Sequence, residues 1–430
     1  MTDPLAIVIL IGSFALLIAL RVPIALALTL SAVFEAFYLG IPLIIVGQRM
    51  VAGLDAFALL AIPLFILGGE IMGAGGISRR LINLAMLFVG RLRGGLALVN
   101  IGASTFFGAL SGSSVADVSA VGSVTIPMMK KKGYGTDYSV AVTISGAAQA
   151  VMIPPSHNLI IYSMAAGGVS IGALFTAGIL PGILLGASLM IAAYVVAVKR
   201  NYPKEESVPI AEIPKIIRDG LLSLLMPVII LGGILSGVFT ATESAVIACV
   251  YAFILTFVVY RDIPVKAMIP ILRKTVRTLG VVLFIIGAAS AFAYFLAFLK
   301  IPAMVTEALL GLSDNKIVIL LLINLLLLAL GAVMDMAPLI LIMTPILLPV
   351  ATSLGMDPVQ FGIMLVLNLA IGLITPPVGN VLFVGCAIGR TSIENVTRTL
   401  PIFLLPMIVV LLLITFVPSL SLALPSIFGQ

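Results

Sequence analysis

The sequence predicts an all-α integral membrane protein of two inverted-topology repeats, each with a re-entrant helical hairpin and a proline-broken helix. Three observations predict it: an apolar composition, the gathering of lysine and arginine into short clusters, and a glycine and proline pattern that returns in the second half of the chain. Of 430 residues, 62% are hydrophobic and 9% are charged, against roughly 25% charged in soluble domains. The mean hydropathy is +1.30. Apolar runs such as 224–239, 317–330 and 403–417 recur along the chain, and a spanning helix needs about 20 such residues. They begin at Leu5 and continue almost to the last residue, leaving no stretch for a soluble catalytic domain of the usual ~50–250 residues. The working site is expected inside the bilayer.

Met1–Leu20 lacks a basic start and carries Asp3 and Pro4, so it reads as a retained first helix rather than a signal peptide. The net charge of +6 comes from Lys and Arg lying between apolar runs. Topology explains them, and no nucleic-acid partner is expected. Clusters at Arg79, Arg80, Arg91 and Arg93, at Lys130–Lys132, across 199–218 and across 261–277 are all placed in the cytoplasm by the positive-inside rule. Ten full crossings and two re-entrant hairpins fit these clusters, with both termini extracytoplasmic. Between the last two clusters, 221–260 is long enough for two crossings, an outward hairpin turning near Thr240–Glu243, where Thr242 and Glu243 could cap the next helix. Between the first two, 94–129 is short for two crossings, and its apolar flanks close on Ser111, Gly112, Ser113 and Ser114 with Asp117 just beyond. A hairpin whose tip ends at mid-membrane satisfies both length and charge, because irregular backbone at depth is tolerated where it lines a cavity. Close helix packing through Ser and Gly is the plainer reading of the same run.

The two halves correspond. Ile126-Pro127 through Gly133 aligns with Leu348-Pro349 through Gly355, and the IPPSHN stretch from Ile153 aligns without a gap with the TPPVGN stretch from Thr375. Asn158 falls on Asn380, and upstream Gly108 matches Gly331 with a one-residue shift. Lys130–Lys132 face uncharged Ala351–Ser353, as expected if the second copy is inserted upside down. Inverted repeats of secondary transporters place their site where the copies meet, at helices broken by Gly or Pro. The breaks here are Pro154-Pro155 and Pro376-Pro377.

Four polar elements should converge at mid-membrane: Ser111–Ser114, Ile153–Asn158, Val333–Met336 and Thr375–Asn380. Each proline pair removes two backbone N–H groups and leaves carbonyl oxygens without partners. Carbonyls, hydroxyls and a carboxylate suit a hard cation, and the positive ends of half-helices suit an anion. Sodium binding with anion binding is the simplest reading. Asp335, between apolar runs, is assigned to a cation site, since an ionisable group at that depth is functional by default; the alternative is a protonated structural Asp. His157 is the only histidine, which disfavours a zinc enzyme or a Ser/His/Asp hydrolase. It either donates to substrate, carries a proton or packs. Cys249 and Cys386 lie in apolar stretches without metal-ligand spacing. Glu70 is either a buried partner for a basic residue or a gate.

The FGALSGSSVADVSAVGSVTIPMMKKKGY, IPP, TPP, GAVMDMAPLILIMTPILLP and TATESAV elements together resemble the large membrane subunit, or M subunit, of tripartite ATP-independent periplasmic (TRAP) transporters over essentially the whole chain. The resemblance implies an elevator mechanism, in which a transport domain with two re-entrant hairpins moves against a scaffold, driven by sodium. It implies a bacterial inner-membrane location and two partners, a small four-helix membrane subunit (Q-type) and a periplasmic substrate-binding protein (P-type). By position, sodium should be held by Ser111, Gly112, Ser113, Ser114 and Pro154, and by Met334, Asp335, Thr375 and Gly379. A small organic acid, a carboxylate such as a sialic acid or a C4-dicarboxylate, should meet Ser114, Pro155, Ser156, His157, Asn158, Pro377 and Asn380. His157 and Asn158 stand where many members carry a plain apolar residue after IPPS. The layout implied is scaffold helices over 1–58; an arm and half of the transport domain over 59–170, with a hairpin at about 95–129 and a break at 153–158; a connecting helix, linker (199–218) and scaffold hairpin over 171–278; a second arm and half over 279–390, with a hairpin at about 317–350 and a break at 375–380; and a C-terminal helix over 391–430.

The chain has no GxxxxGK[ST] loop to cradle phosphates, so no organic cofactor or nucleotide is expected. An intramembrane enzyme would need a general base beside Ser113 or Asp335, and the sequence offers none. A stand-alone sodium/divalent-anion symporter of related architecture is the remaining alternative.

Overall fold

The computed structural model describes residues 3–205 and 208–429, with the side chains of Phe57 and Ala58 left aside. Residues 1, 2, 206, 207 and 430, which the expected first, linker and last segments include, lie outside the described residues. Helices and no strand form among the described residues. The chain opens with α1 (Pro4–Ala19), α2 (Ile24–Tyr38) and α3 (Ile44–Leu54). Next come α4 (Ala61–Ala74) and α5 (Ile77–Val89), bent by 74° at Gly75-Gly76. A first helix–break–helix unit runs through α6 (Gly95–Ser111), α7 (Ser114–Asp117), a π-helical turn (Val118–Gly122) and α8 (Ser123–Lys131). It is followed by α9 (Thr136–Ala150) and α10 (His157–Ala165), and then by the long α11 (Ile171–Lys199). The middle of the chain forms α12 (Ile213–Leu235) and α13 (Ala241–Phe253), the latter extended by a π-helical segment (Ile254–Tyr260). Helices α14 (Met268–Phe298) and α15 (Ile301–Leu312) lead to a second unit, α16 (Lys316–Gly331) and α17 (Met336–Ser353). The chain ends in α18 (Pro358–Gly372), α19 (Asn380–Gly389), α20 (Ile393–Thr399), α21 (Pro401–Phe416) and α22 (Ser419–Ile427).

Five of the described helices are long and apolar enough to cross a bilayer by themselves, or seven when each bent pair counts as one. The ten crossings expected from charge must therefore include helices such as α1 and α2, of 16 and 15 residues. Helices shorter than the hydrocarbon thickness are accommodated by local bilayer thinning and anchored flanks. The expected single C-terminal helix is three, because Pro401 begins α21 after a 57° bend and Pro418 follows its end.

Caps set several boundaries. At the turn between α12 and α13 the capping residue is Thr240, not Thr242 as expected. Thr240 has the extended conformation that lets its hydroxyl accept from the Glu243 N–H (3.2 Å), while Glu243 Oε2 accepts from the Thr240 N–H (2.7 Å). Asn315 and Asp357 cap α16 and α18, each side chain accepting from the N–H two residues on, Ile317 and Val359. Glu70 of α4 ion-pairs with Lys274 of α14 at 2.7 Å, the first of its two expected readings. At the α4–α5 bend, Arg80 pairs with Asp262, donates to Gly75 O (3.2 Å) and lies 3.7 Å over the Tyr260 ring. The start of α5 is thereby fixed to the end of α13.

Small residues let the central helices approach. A Cβ on Gly108 of α6 would fall 2.5 Å from the Ala150 carbonyl of α9, and one on Gly372 of α18 would fall 2.5 Å from the Gly331 carbonyl carbon of α16. The same crossing thus occurs in both halves, at positions the repeat alignment pairs. Buried amides pin each: Asn100 of α6 donates to Thr125 of α8 (2.8 Å) and Thr143 of α9 (2.6 Å). In the second half Asn368 of α18 donates to Asn324 Oδ1 (3.0 Å), and Asn324 donates to Thr415 of α21 (3.2 Å). Beyond each break the chain crosses over. Helix α10 packs on α17 and α18, where the Tyr162 hydroxyl donates to Pro358 O at 2.5 Å, and α19 packs on α7, α9 and the π turn between α7 and α8. At one end of this body Lys130 donates to Gly389 O (3.1 Å) and Thr399 to Asp137 (2.5 Å).

Candidate functional site

The first tip is made by a glycine. α6 ends at Gly112 with φ 58°, and Ser113, in extended conformation, restarts the helix by accepting from the Ala116 N–H (3.4 Å). A Cβ on Gly112 would fall 2.8 Å from the Pro155 carbonyl and 3.0 Å from the Ser156 Cα, so only glycine lets the tip rest on the first break. In that break the Pro154–Pro155 bond is cis, Ser156 is extended and α10 starts at His157. Ser114 and Ser156 are buried, and neither hydroxyl has a hydrogen-bond partner among the described residues. Ser111 and Ser113 are half-buried, Pro154, Pro155 and Asn158 are buried, and His157 is half-buried.

The second tip follows the same plan. α16 ends at Gly331, and the carbonyl of Ala332 accepts from the Val378 (3.0 Å) and Gly379 (3.4 Å) N–H groups of the second break. Asp335, half-buried, is the extended residue before α17, with the Met336 N–H and the Asn380 side chain near its carboxylate. The Pro376–Pro377 bond is cis, and Gly379 turns with φ 49° into α19. The carbonyls of Leu373 and Thr375 close around Gly379, 3.1 and 3.0 Å from where its Cβ would stand. Thr375 Oγ1 donates to Ile371 O (2.7 Å), Met334 is buried, and Pro377 and Asn380 are exposed.

The sodium-site expectations thus fall into two separate tip-and-break units, Ser111–Ser114 with Pro154 and Met334-Asp335 with Thr375 and Gly379. The substrate expectations divide between the first tip, at Ser114, and the two breaks. Because α10 and α19 each lodge in the opposite half, both units belong to one packed body. Each sets hydroxyl or carbonyl oxygens, with at most one carboxylate, beside a helix start that favours an anion, and in the first the Ser114 and Ser156 hydroxyls have no partner among the described residues. Among the described residues no group of three His, Cys, Asp or Glu could hold a metal ion, so a cation here would rest on these oxygens.

Two further features lie against the first tip, one read beside it in the sequence without being assigned a role and one left unmarked there. Asp117, fully buried in α7, faces the Ser104 hydroxyl of α6; its closeness to the tip was the available signal. Gly69 of α4 lies against the first tip, its Cβ position 3.3 Å from Ser111 Cα, and Gly68-Gly69 beside Glu70 was the only trace. A crevice of about 580 Å3 lies among α3, α10, α14 and α17, lined by Gly53, Ser163, Ser290 and Leu341 among others, and includes none of the expected site residues.

Residues 11–420 match the family model described as tripartite ATP-independent periplasmic transporter, DctM component. The sialic acid TRAP transporter large permease protein SiaM of Vibrio cholerae is 40% identical over 89% of this chain and 89% of its own. The C4-dicarboxylate TRAP transporter large permease protein DctM of Rhodobacter capsulatus is 36% identical over 97% of this chain and 99% of its own. In fold, the chain resembles the YdaH transporter of Alcanivorax borkumensis, with a TM-score of 0.60 at 16% identity over 86% of this chain and 88% of that one.

Proposed function

The chain belongs to the DctM-component family of tripartite ATP-independent periplasmic transporters, and we propose that it imports a small organic acid across the bacterial inner membrane by a sodium-coupled elevator movement. The observation that carries this reading is the pair of tips, each resting on its own proline break, with the Ser114 and Ser156 hydroxyls at the first left without partners among the described residues. One sodium ion would sit among Ser111, Ser113, Ser114 and the carbonyls near Pro154. A second would sit between Asp335 and the carbonyls near Thr375 and Gly379. The carboxylate would lie between them, within reach of Ser156, His157, Asn158 and Asn380 at the starts of α10 and α19. The repeated crossing of α6 on α9 and α16 on α18 supports two inverted copies, and the fixed joint at Arg80 supports α5 as an arm between scaffold and transport domain.

The energetics suffice. A tenfold sodium gradient supplies about 1.4 kcal/mol per ion, and each net charge moved gains about 2.3 kcal/mol per 100 mV. Two ions could therefore concentrate a monoanion substantially. The partners in this reading are a small four-helix membrane subunit and a periplasmic binding protein that delivers the acid. The test reconstitutes the chain with the small subunit in proteoliposomes, adds loaded binding protein outside and imposes sodium, proton or potassium gradients one at a time. Uptake is expected with the sodium gradient and binding protein together, without ATP. Equal uptake with no sodium gradient would overturn the coupling, and undiminished uptake of free acid would favour a stand-alone symporter.

A further inference from the structure

Helix α5 and the entry to α12 enclose a groove of about 250 Å3. Its walls are Met86 and Phe88 of α5 with Val208, Ile213 and Ile217, and Arg91 is the charged residue among its lining. The clusters at Arg79–Arg93 and Lys199–Arg218 put this groove at the cytoplasmic edge of the bilayer. Because α5 turns 74° away from α4, it runs near the membrane plane when α4 stands upright. Its inner face (Ile77, Leu81, Ile82, Ala85) is buried and Arg79 and Asn83 are exposed, the pattern of an interfacial helix.

Two features of the groove have no use within the chain. Phe88 is 71% exposed, and the apolar surface continues along α12 through Ile217 and Leu221 toward the bilayer core. Arg91 is exposed and has no ion pair among the described residues, whereas Arg80 and Arg218 each have one. Of the acidic groups nearby, Glu205 is paired with Lys132 and Glu212 is exposed before α12, while Arg93 and Lys215 add positive charge. A soluble anion would have no need of the apolar walls, and a neutral lipid would leave Arg91 unused.

We propose that this groove binds an anionic phospholipid of the cytoplasmic leaflet, with its phosphate on Arg91 and an acyl chain along Phe88, Ile213 and Ile217. Such a lipid bridges α5 and α12 beyond their direct packing at Leu84 and Gly220, so it restrains the C-terminal end of α5.

The full chain in detergent would be titrated with phosphatidylglycerol or phosphatidylethanolamine and bound lipid counted by native mass spectrometry. Phosphatidylglycerol is expected to bind preferentially, and Arg91→Gln to weaken it about fivefold, the effect of one basic residue at an anionic surface. Arg91→Lys should retain most of the binding, Ile217→Trp should fill the groove and lower it, and Arg273→Gln, remote from the groove, should leave it unchanged. Equal binding of the two lipids, or wild-type binding by both Arg91→Gln and Ile217→Trp, would overturn the proposal. Displacement of the lipid by millimolar inorganic phosphate would do the same, by showing a site for a free anion.

Discussion

Asp335 stands at the start of α17 with Asn380 as its side-chain neighbour, so Asp335→Asn keeps the shape and removes one negative charge. Opposite charges about 4 Å apart interact by about 4 kcal/mol at an effective dielectric near 20. The sodium concentration for half-maximal uptake should therefore rise at least about tenfold, with folding intact by size-exclusion chromatography; unchanged sodium activation would remove Asp335 from the cation site. Gly112 offers a second test. Gly112→Ala places a Cβ 2.8 Å from the Pro155 carbonyl on a backbone of φ 58°, whereas Gly133→Ala meets only the second problem, with φ 83° and no atom within 4 Å. Both should lose roughly 1–2 kcal/mol of stability from left-handed strain, but only Gly112→Ala should abolish uptake. Equal uptake by the two variants would mean that the tip does not depend on its contact with the break. Ser111–Ser114, the proline pairs and Asp335 were all legible, because polar or helix-breaking residues in an apolar run violate the local rule. Gly69 was not, since a glycine in a membrane helix gives no sign of which partner it touches.

At the level of helices, the breaks were readable and the contacts were not. Gly112, the proline pairs and Gly379 interrupt the chain where the sequence says it must be interrupted. The capping residue was misplaced by two positions because TATES offers two threonines, and only the conformation at Thr240 decides between them. The triad of Asn100, Thr125 and Thr143 was invisible because its members lie on three helices and each looks like an isolated polar residue. Its removal can be weighed: Asn100→Leu should lower the thermal midpoint by an amount equivalent to about 0.6–1.7 kcal/mol, the range for polar contacts between membrane helices. A larger loss than that of Asn368→Leu is expected, because Asn100 Nδ2 holds two hydroxyls on two other helices. The opposite ranking in a thermal-shift assay would show that the second half relies more on its amides.

For the molecule as a whole, the question is whether the body containing both tips moves past α4. Gly69 and Ser111 provide a direct probe, since a Cβ on Gly69 would stand 3.7 Å from the Ser111 Cβ, close to the ~3.8 Å typical of disulfides. With Cys249 and Cys386 replaced by alanine, Gly69→Cys with Ser111→Cys should cross-link on mild oxidation and stop uptake, and reduction should restore it to the level of Ser111→Cys alone. Full uptake by the oxidised form would mean that the tip and α4 keep their contact throughout the cycle. The matched spacing of the two proline breaks was legible at this scale, because it is a pattern in the sequence itself. The crossing of α10 and α19 into opposite halves was not, because contacts between distant segments leave no periodic trace.

That crossing also bears on how the chain is made. When α10 leaves the ribosome, the Pro358 carbonyl that will receive the Tyr162 hydroxyl has not been synthesised, and neither has the α17 surface on which α10 packs. The early half must wait in the membrane, its broken helix unsheltered, until α17 and α18 are inserted; only then can α19 settle against α7 and α9. A polypeptide cut short before α16 would leave α10 without the surface it packs on and the Tyr162 hydroxyl without its acceptor.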